Sequence, residues 1–335
     1  MRDTKNEFRF QINEGAEVPK FRQLMDSVNH AIAENRLSVG DHLPSVNQVC
    51  KEYKLSRDTV FKAYSLLKEQ GVVDSVRNKG YFVAREVRRV FLFLDTFKAY
   101  KEVLYDSFTK NLPENVLSDV HFHHYNIDVF RRQIEESLGK YHRYVVMPFE
   151  HAEMEQILDL IPADKLLVID WNLYARPASN VLYQDFGQSV YDGLEEVFPL
   201  LKKYRELVFL YPEFTNHPLD SVHFFERFCR DRQLTFRVER RSSAFEVQPG
   251  VAYISVSDRM LGRFLEQCRD KGLEPGRDAG ILSYNETPMK KFIYKGITVI
   301  TTDFQLMGSK AAEFVSTDAP MQFCVPTGVL IRESL

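Results

Sequence analysis

Two architectures follow one another in this sequence: a small three-helix head closed by a hairpin, then a larger α/β body built on parallel strands. Three observations predict this. Apolar residues recur at helical spacing from Phe21 to Leu67, interrupted by two sharp breaks. Beyond Arg88 come short runs that are apolar throughout, each separated from the next by a helical stretch. Charge is split as well. Pro19 to Val90 carries 13 Lys/Arg against 8 Asp/Glu and residues 1–18 carry 3 against 4, so a total of −3 leaves the remainder at about −7. A basic head on an acidic body suits a nucleic-acid-contacting module joined to something else.

The head reads element by element. Residues 1–18 are polar and without period, and are expected to form a mobile arm. Pro19 opens a helix whose Phe21, Leu24, Val28 and Ile32 share one face. Gly40 and Pro44 break the chain, and Ser45 can cap a second helix. Ser56 can cap a third, with Val60, Ala63, Tyr64 and Leu67 turned inward. Asp58, Lys62 and Ser65 lie on the opposite arc, flanked by Arg57 and Phe61. Gly71 can supply the left-handed stop. Val72-Val73 and Tyr81-Phe82-Val83 then read as two strands joined by a turn through Arg77, Asn78, Lys79 and Gly80. Helix, helix, tight turn, helix and hairpin is the layout of a winged helix-turn-helix, whose third helix enters the major groove.

The stretch LPSVNQVCKEYKLSRDTVFKAYSLLKEQGVVDSVRNKGYFV resembles the DNA-binding domain of the GntR family of bacterial regulators, over residues 19–84. The likeness rests on LPS at the helix start, SR-x-TV at the recognition helix, L-x-x-x-G at its end and KG-Y-F-V in the wing. It implies that Arg57 and Thr59 contact phosphates or bases and that Lys79 and Gly80 place the wing tip. Many members carry Glu-Arg after LPS. This chain has Val46-Asn47, so Asn47 stands where an arginine is usual. The candidate DNA-binding residues are therefore Ser45, Asn47, Arg57, Asp58, Thr59, Lys62, Arg77, Lys79 and Gly80.

In the body, the apolar runs are RRVFLFLD, RYVVMPFE, KLLVIDW, ELVFLYP, VAYISVSD and AGILSYNE. They predict a parallel sheet covered on both faces, with ligand bound beyond the carboxyl ends of the strands. At those ends stand Asp95, Glu150, Asp170-Trp171, Asp258 and Asn285, with Phe97, Tyr100 and Phe186 close in sequence. A single polar residue at a strand end is usually a cap or loop former. A series of them beside aromatics suits one pocket, where carboxylates and amides take vicinal hydroxyls and rings cover the C–H face of a sugar.

Residues 88–335 resemble the effector domain of the LacI family, a periplasmic-binding-protein type I fold, most clearly in ISVSDRMLGRFLEQCRDKGLEPGRDAGILSYNETP. SNVLYQDFGQSVYDGLEEV resembles that family's crossing between lobes, and ITVITTDFQLMGSKAAEFV and VLIRESL its closing segments. The resemblance implies an α/β two-lobed effector domain, with one lobe from 88–182 plus 302–324 and the other from 183–301. It implies a pocket containing Asp95, Asp185, Asp258 and Asn285, with Glu150, Trp171 and Phe186 added by position. Ser257 replaces the family's usual Asn, Asn285 stands where Asp is common, and His217 or His223 could replace an arginine that has no counterpart. A dimer on operator DNA whose affinity changes with a small-molecule effector, a monosaccharide of the pentose or deoxyhexose kind or a sugar phosphate, is implied too. Arabinose- and fucose-responsive regulators share this build. The expected domains are the arm at 1–18, the winged helix-turn-helix at 19–86 and the effector and dimerisation domain at 87–335.

Other classes fare less well. Cys50, Cys229, Cys268 and Cys324 are scattered, so neither a zinc ribbon nor a disulfide framework is expected, and a reducing cytoplasm is. No signal-peptide core and no run of 18 apolar residues occurs, so no membrane partner is expected. HFHH (His121 to His124) lacks metal-site spacing and suits a strand. Nucleotide, hydrolase and metalloprotease motifs are missing, and no cofactor, catalytic residue or metal ligand is assigned. Two alternatives stay open: a sugar-processing or metal-dependent enzyme with an accessory DNA-binding head, and a body that only dimerises.

Overall fold

The computed structural model describes residues 8–13, 15–16, 18–76, 79–84, 87–172, 179–243, 245–317 and 319–335. Its head packs α1 (Lys20–Ala33), α2 (Val46–Tyr53) and α3 (Arg57–Glu69) around Leu24, Val28, Val49, Val60, Tyr64 and Leu67, all fully buried. Ser45 caps α2 through a capping box: Gln48 N–H donates to Ser45 Oγ, and the Gln48 side chain accepts from Ser45 N–H. Lys54 takes the left-handed conformation between α2 and α3 that makes the turn tight. β1 (Val73–Val76) and β2 (Gly80–Val83) pair antiparallel, and His42 bridges Phe82 at the hairpin's other edge.

The arm departs from expectation. Residues 8–13 are docked on the head: Phe10 is buried against Tyr53 and Tyr64. Its N–H donates to Tyr53 Oη (2.9 Å), Gln11 exchanges two hydrogen bonds with Ser27 Oγ, and Asn13 N–H donates to Gln23 Oε1 (2.8 Å). The polar composition hid a small apolar plug of Phe8, Phe10 and Ile12. The head also rests on the body, since Val87 is buried in the head's core, Leu117 packs against that core, and Arg89 lies 3.9 Å from Glu34.

The body has two sheets. The first lobe runs β3 (Arg88–Leu94), α4 (Ala99–Asn111), β4 (Val116–Phe122), α5 (Ile127–Ser137), β5 (Arg143–Val146), α6 (Met154–Leu158), β6 (Leu166–Asp170) and β7 (Asn180–Tyr183). The second runs α7 (Gln188–Leu201), β8 (Glu206–Leu210), α8 (Asp220–Asp231), β9 (Phe236–Glu239), β10 (Val251–Ser255), α9 (Asp258–Lys271), β11 (Gly280–Tyr284) and β12 (Thr298–Thr302). α10 (Phe304–Ser316) returns to pack on α4, β13 (Gln322–Cys324) joins the first sheet, and β14 (Thr327–Leu330) joins the second. Sheet orders are β13-β7-β6-β5-β3-β4, parallel throughout, and β14-β12-β11-β10-β8-β9, parallel except for β14.

The lobes therefore exchange chain three times, at residues 184–187, at 303 and at 325–326. The sequence anticipated only two crossings and left the final strand unassigned. Residues 327–335 complete the second lobe, where Leu335 is in its core and Ser334 Oγ donates to Ile281 O (2.6 Å). In each sheet the first strand is flanked by the second on one side and the third on the other, β4-β3-β5 and β9-β8-β10. Connections leave these strands in opposite directions, which opens a crevice at their carboxyl ends.

Candidate effector cleft and nucleic-acid interface

On the head, the first turn of α3 exposes Arg57 and Asp58. Ser56 Oγ accepts from Thr59 N–H (3.1 Å) and bonds Thr59 Oγ1 (2.7 Å), so Thr59 is tied to the cap. Lys62 is exposed with its ammonium 4.1 Å from the centre of the Phe21 ring, and Phe61 beside it is also exposed. Ser45 and Asn47 are exposed at the start of α2, and Lys79 and Gly80 are exposed in the hairpin, Gly80 with φ +84°. Arg77 lies outside the described residues. Exposed donors at two helix starts and a hairpin can meet phosphates, and the Arg57 side of α3 can meet base edges.

Between the lobes lies a cleft of about 370 Å³, at the small end of the range of roughly 300–1,000 Å³ for ligand sites. The first lobe contributes Asp95, Tyr100, Tyr125, Asp170 and Trp171, and the second contributes the Phe214–Pro218 loop, Val256–Arg259, Tyr284 and Asn285. Gln184 and Phe186 enter from the first crossing.

Six of the nine predicted ligand residues meet here: Asp95, Tyr100, Trp171, Phe186, Asp258 and Asn285. Three do not line the cleft. Phe97 turns out to solvent against Phe122 and Tyr105. Glu150 is exposed just past the turn after β5. Asp185 caps α7, accepting from Gly187 N–H (2.9 Å) and Gln188 N–H (2.8 Å), which turns its carboxylate toward the helix.

The cleft floor is charged and buried. Asp95 takes the Lys101 ammonium and the Tyr125 hydroxyl, and Lys101 is only 1% exposed. Burial pulls the Lys101 ammonium down to about 8, with Asp170 opposing. Burial also raises the Asp170 carboxyl, while Lys101 and the Gln184 amide pull it back. Asp170 and Asn285, at the ends of β6 and β11, both sit in the left-handed region, at φ 74° and 60°. His217 stands between Phe186 and Tyr284, with ring centres 5.3 and 4.7 Å away. Burial drives its imidazole down to about 3, so it is neutral, and the nearby Lys98 ammonium pushes the same way. Two atoms of cleft-lining residues are buried without a partner, His217 Nε2 and Asn285 Oδ1. Such atoms are costly unless something fills their valence. His223, the other candidate, is exposed on α8 near Asp220.

Gln184 ties the floor to the hinge. Its amide N–H donates to Asp170, while its carbonyl accepts from Tyr284 Oη (3.0 Å) and Thr302 Oγ1 (2.7 Å). Thr302 in turn bonds Thr327 (2.7 Å), so one polar chain touches all three crossings.

Comparison with known proteins accounts for the head. Residues 20–83 match the family described as bacterial regulatory proteins, gntR family. YhcF of Bacillus subtilis, an uncharacterized HTH-type transcriptional regulator, is 30% identical over 96 residues, 29% of this chain and 77% of the relative. The chain belongs to the gntR family. YydK of the same organism is 29% identical over 87 residues, but those cover 26% of this chain and 37% of YydK, so the body is not shared at that level.

The body of this gntR-family regulator matches LacI-family structures in fold. A LacI family transcriptional regulator from Lactobacillus casei, with bound sucrose, superposes with a TM-score of 0.62 at 13% identity, over 74% of this chain and 99% of that one. The lac repressor dimer bound to operator gives 0.61 at 12% identity, over 75% and 94%. The chain thus joins a head of the gntR family to a body of LacI-like fold. Among the described residues no helix is long and apolar enough to cross a membrane.

Tyr125, Gln184 and His217 were not assigned to the cleft from sequence, although His217 stood as one of two substitutes. Tyr125 and His217 follow no continuous apolar run, which was the signal used, and Gln184 follows only the short run Val181-Leu182-Tyr183. His121 and His123 of the HFHH group are packed among rings, His121 on Phe91 (4.6 Å) and His123 on Phe149 (5.1 Å), with a His123 ring nitrogen bonded to Met147 O (2.9 Å).

Proposed function

We propose that this regulator binds operator DNA as a homodimer and that a monosaccharide of the pentose or deoxyhexose kind, held in the cleft, changes its DNA affinity. The observation that carries the reading is the cleft itself. His217 and Asn285, whose Nε2 and Oδ1 are buried without a partner, line it beside the exposed carboxylate of Asp258, and Tyr100, Trp171, Phe186 and Phe214 line it too. Hydroxyls satisfy such atoms and aromatic faces cover a sugar's C–H surface. Lys98 and Arg259 stand at the mouth, so sugar phosphates belong in the test.

Support for the homodimer comes from one face that spans both lobes. Met289, Phe292 and Tyr294 protrude there at 65%, 73% and 51% exposure. Val103, Phe304, Val329 and Leu330 line an adjoining recess. Protrusion and recess of matched chemistry on one surface are what a two-fold contact requires. Two copies also match the two half-sites that helix-turn-helix proteins read.

The test is a thermal-shift screen of the full chain against monosaccharides and their phosphates, followed by operator titration. A ligand at 100 times its Kd stabilises the fold by about 2.7 kcal/mol. Asp258→Ala is expected to abolish the ligand response and leave operator binding intact, and Arg57→Ala to do the reverse. A flat panel from folded, DNA-binding protein favours a body that only dimerises. Turnover of a sugar favours the enzyme reading.

A further inference from the structure

Lys290 is a lysine buried to 2% exposure on the surface segment between β11 and β12. Its ammonium has three N–H donors and three acceptors around it: Asp258 Oδ1 (2.8 Å), Tyr284 O (2.9 Å) and Asn285 O (2.6 Å). All three acceptors belong to cleft-lining residues. The same segment is wound into successive turns, in which Phe292 N–H donates to Met289 O (2.9 Å) and Gly296 N–H to Ile293 O (2.8 Å). Ile297 N–H donates to Lys290 O (2.8 Å), so the lysine's own backbone is fixed to the start of β12. On its outer side the segment exposes Met289, Phe292 and Tyr294. One residue outside the cleft thus has its side chain bonded to three cleft-lining residues and its neighbours exposed on the apolar surface.

Burying an ammonium is costly unless its partners stay in place. Asp258 is shared, because its side chain is 61% exposed while it holds Lys290. A ligand hydroxyl donating to Asp258 shares the carboxylate that holds the ammonium through Oδ1. Any shift of Asp258 or of the Tyr284-Asn285 carbonyls must be followed by Lys290 or leave a charge unpaired. We propose that Lys290 is a positioning residue that transmits occupancy of the cleft to the Met289–Tyr294 surface, and through it to the second copy of the chain. This rests on the sensor reading above. It adds a specific physical link between two places that both have discrete partners.

The experiment uses the full-length chain with L-arabinose, D-xylose, L-fucose and L-rhamnose as probes. Sugar affinity is measured by calorimetry, operator affinity by fluorescence anisotropy with and without saturating sugar, and amide exchange over residues 286–296 by mass spectrometry. In the unsubstituted protein the binding sugar is expected to shift operator Kd by roughly 5- to 150-fold, the usual range of allosteric coupling, and to change exchange over that segment. Lys290→Met is expected to keep sugar binding and sugar-free operator binding while the operator shift falls below about 2-fold. Lys290→Arg restores part of it. A purely structural lysine lowers stability and leaves the ratio unchanged. Full response in Lys290→Met, or exchange over 286–296 indifferent to sugar in the unsubstituted protein, overturns the proposal. The exchange measurement decides the matter even where Lys290→Met does not fold. If no probe binds the unsubstituted protein, it is the sensor reading that fails, and this inference falls with it.

Discussion

At the scale of single residues, burial decides which groups carry charge. His123 is fully buried, and desolvation holds its imidazole down to about 4 against an ordinary 6.5. Between those two values the unfolded chain binds a proton that the folded chain refuses, so stability rises with pH there. Acidification from about pH 6.5 to 4 is therefore expected to cost on the order of 3 kcal/mol from this residue. His217 adds to the loss in the same direction. His123→Phe should flatten the slope, read as the urea midpoint of the full chain between pH 4.5 and 7.5. The residue scale is also where sequence reading was weakest. Asp185 stands just before α7 and Asp258 opens α9, and both look like cleft carboxylates. Only the fold shows that Asp185 turns back on its own helix while Asp258, paired with Lys290, stays exposed. Phe97 and Tyr100 are three residues apart, yet one faces solvent and the other the cleft.

Elements were more legible, and the exceptions share a cause. The six apolar runs became β3, β5, β6, β8, β10 and β11, strands flanked on both sides within their sheets. β4 and β9 lie at sheet edges, where every residue is half-exposed, so VLSDVHF and FRVE carry no continuous apolar signal. The docked arm was missed because Phe8, Phe10 and Ile12, which pack on the head's core, are a short alternation within an otherwise polar stretch. Its importance is measurable. Phe10→Ala removes a ring packed among Phe8, Tyr53 and Tyr64 and is expected to cost about 3 kcal/mol. Operator binding should weaken as the head loosens, while sugar-induced stabilisation of the body should be unchanged. Losing both together would mean that head and body unfold as one unit.

At the scale of the whole molecule, lobe geometry hangs on very few side chains. Gln184 is 2% exposed and joins Asp170 of one lobe to Tyr284 of the other, and both to the second crossing. Gln184→Leu keeps the volume roughly, takes a partner from Asp170 and Tyr284, and leaves Thr302 bonded to Thr327 alone. At about 1–3 kcal/mol for each unsatisfied group, a loss of several kcal/mol is expected in urea unfolding. Small-angle scattering should show a wider spread of lobe separations. Unchanged stability would mean that water or a rearranged Thr302 replaces the amide. None of this was readable beforehand, because the third crossing was not anticipated and Gln184 sits one residue before the aspartate that drew attention.

The left-handed backbone at Asp170 and Asn285 has a consequence for descent. Apart from glycine, aspartate and asparagine are among the residues that accept that conformation most readily. Most exchanges at these positions strain the cleft floor before they alter its chemistry. Aspartate-for-asparagine exchange does not, and it swaps a charge for an amide with almost no change of shape. Substitutions that keep the backbone still at these two opposed points of the cleft are thus confined to a small alphabet that varies charge.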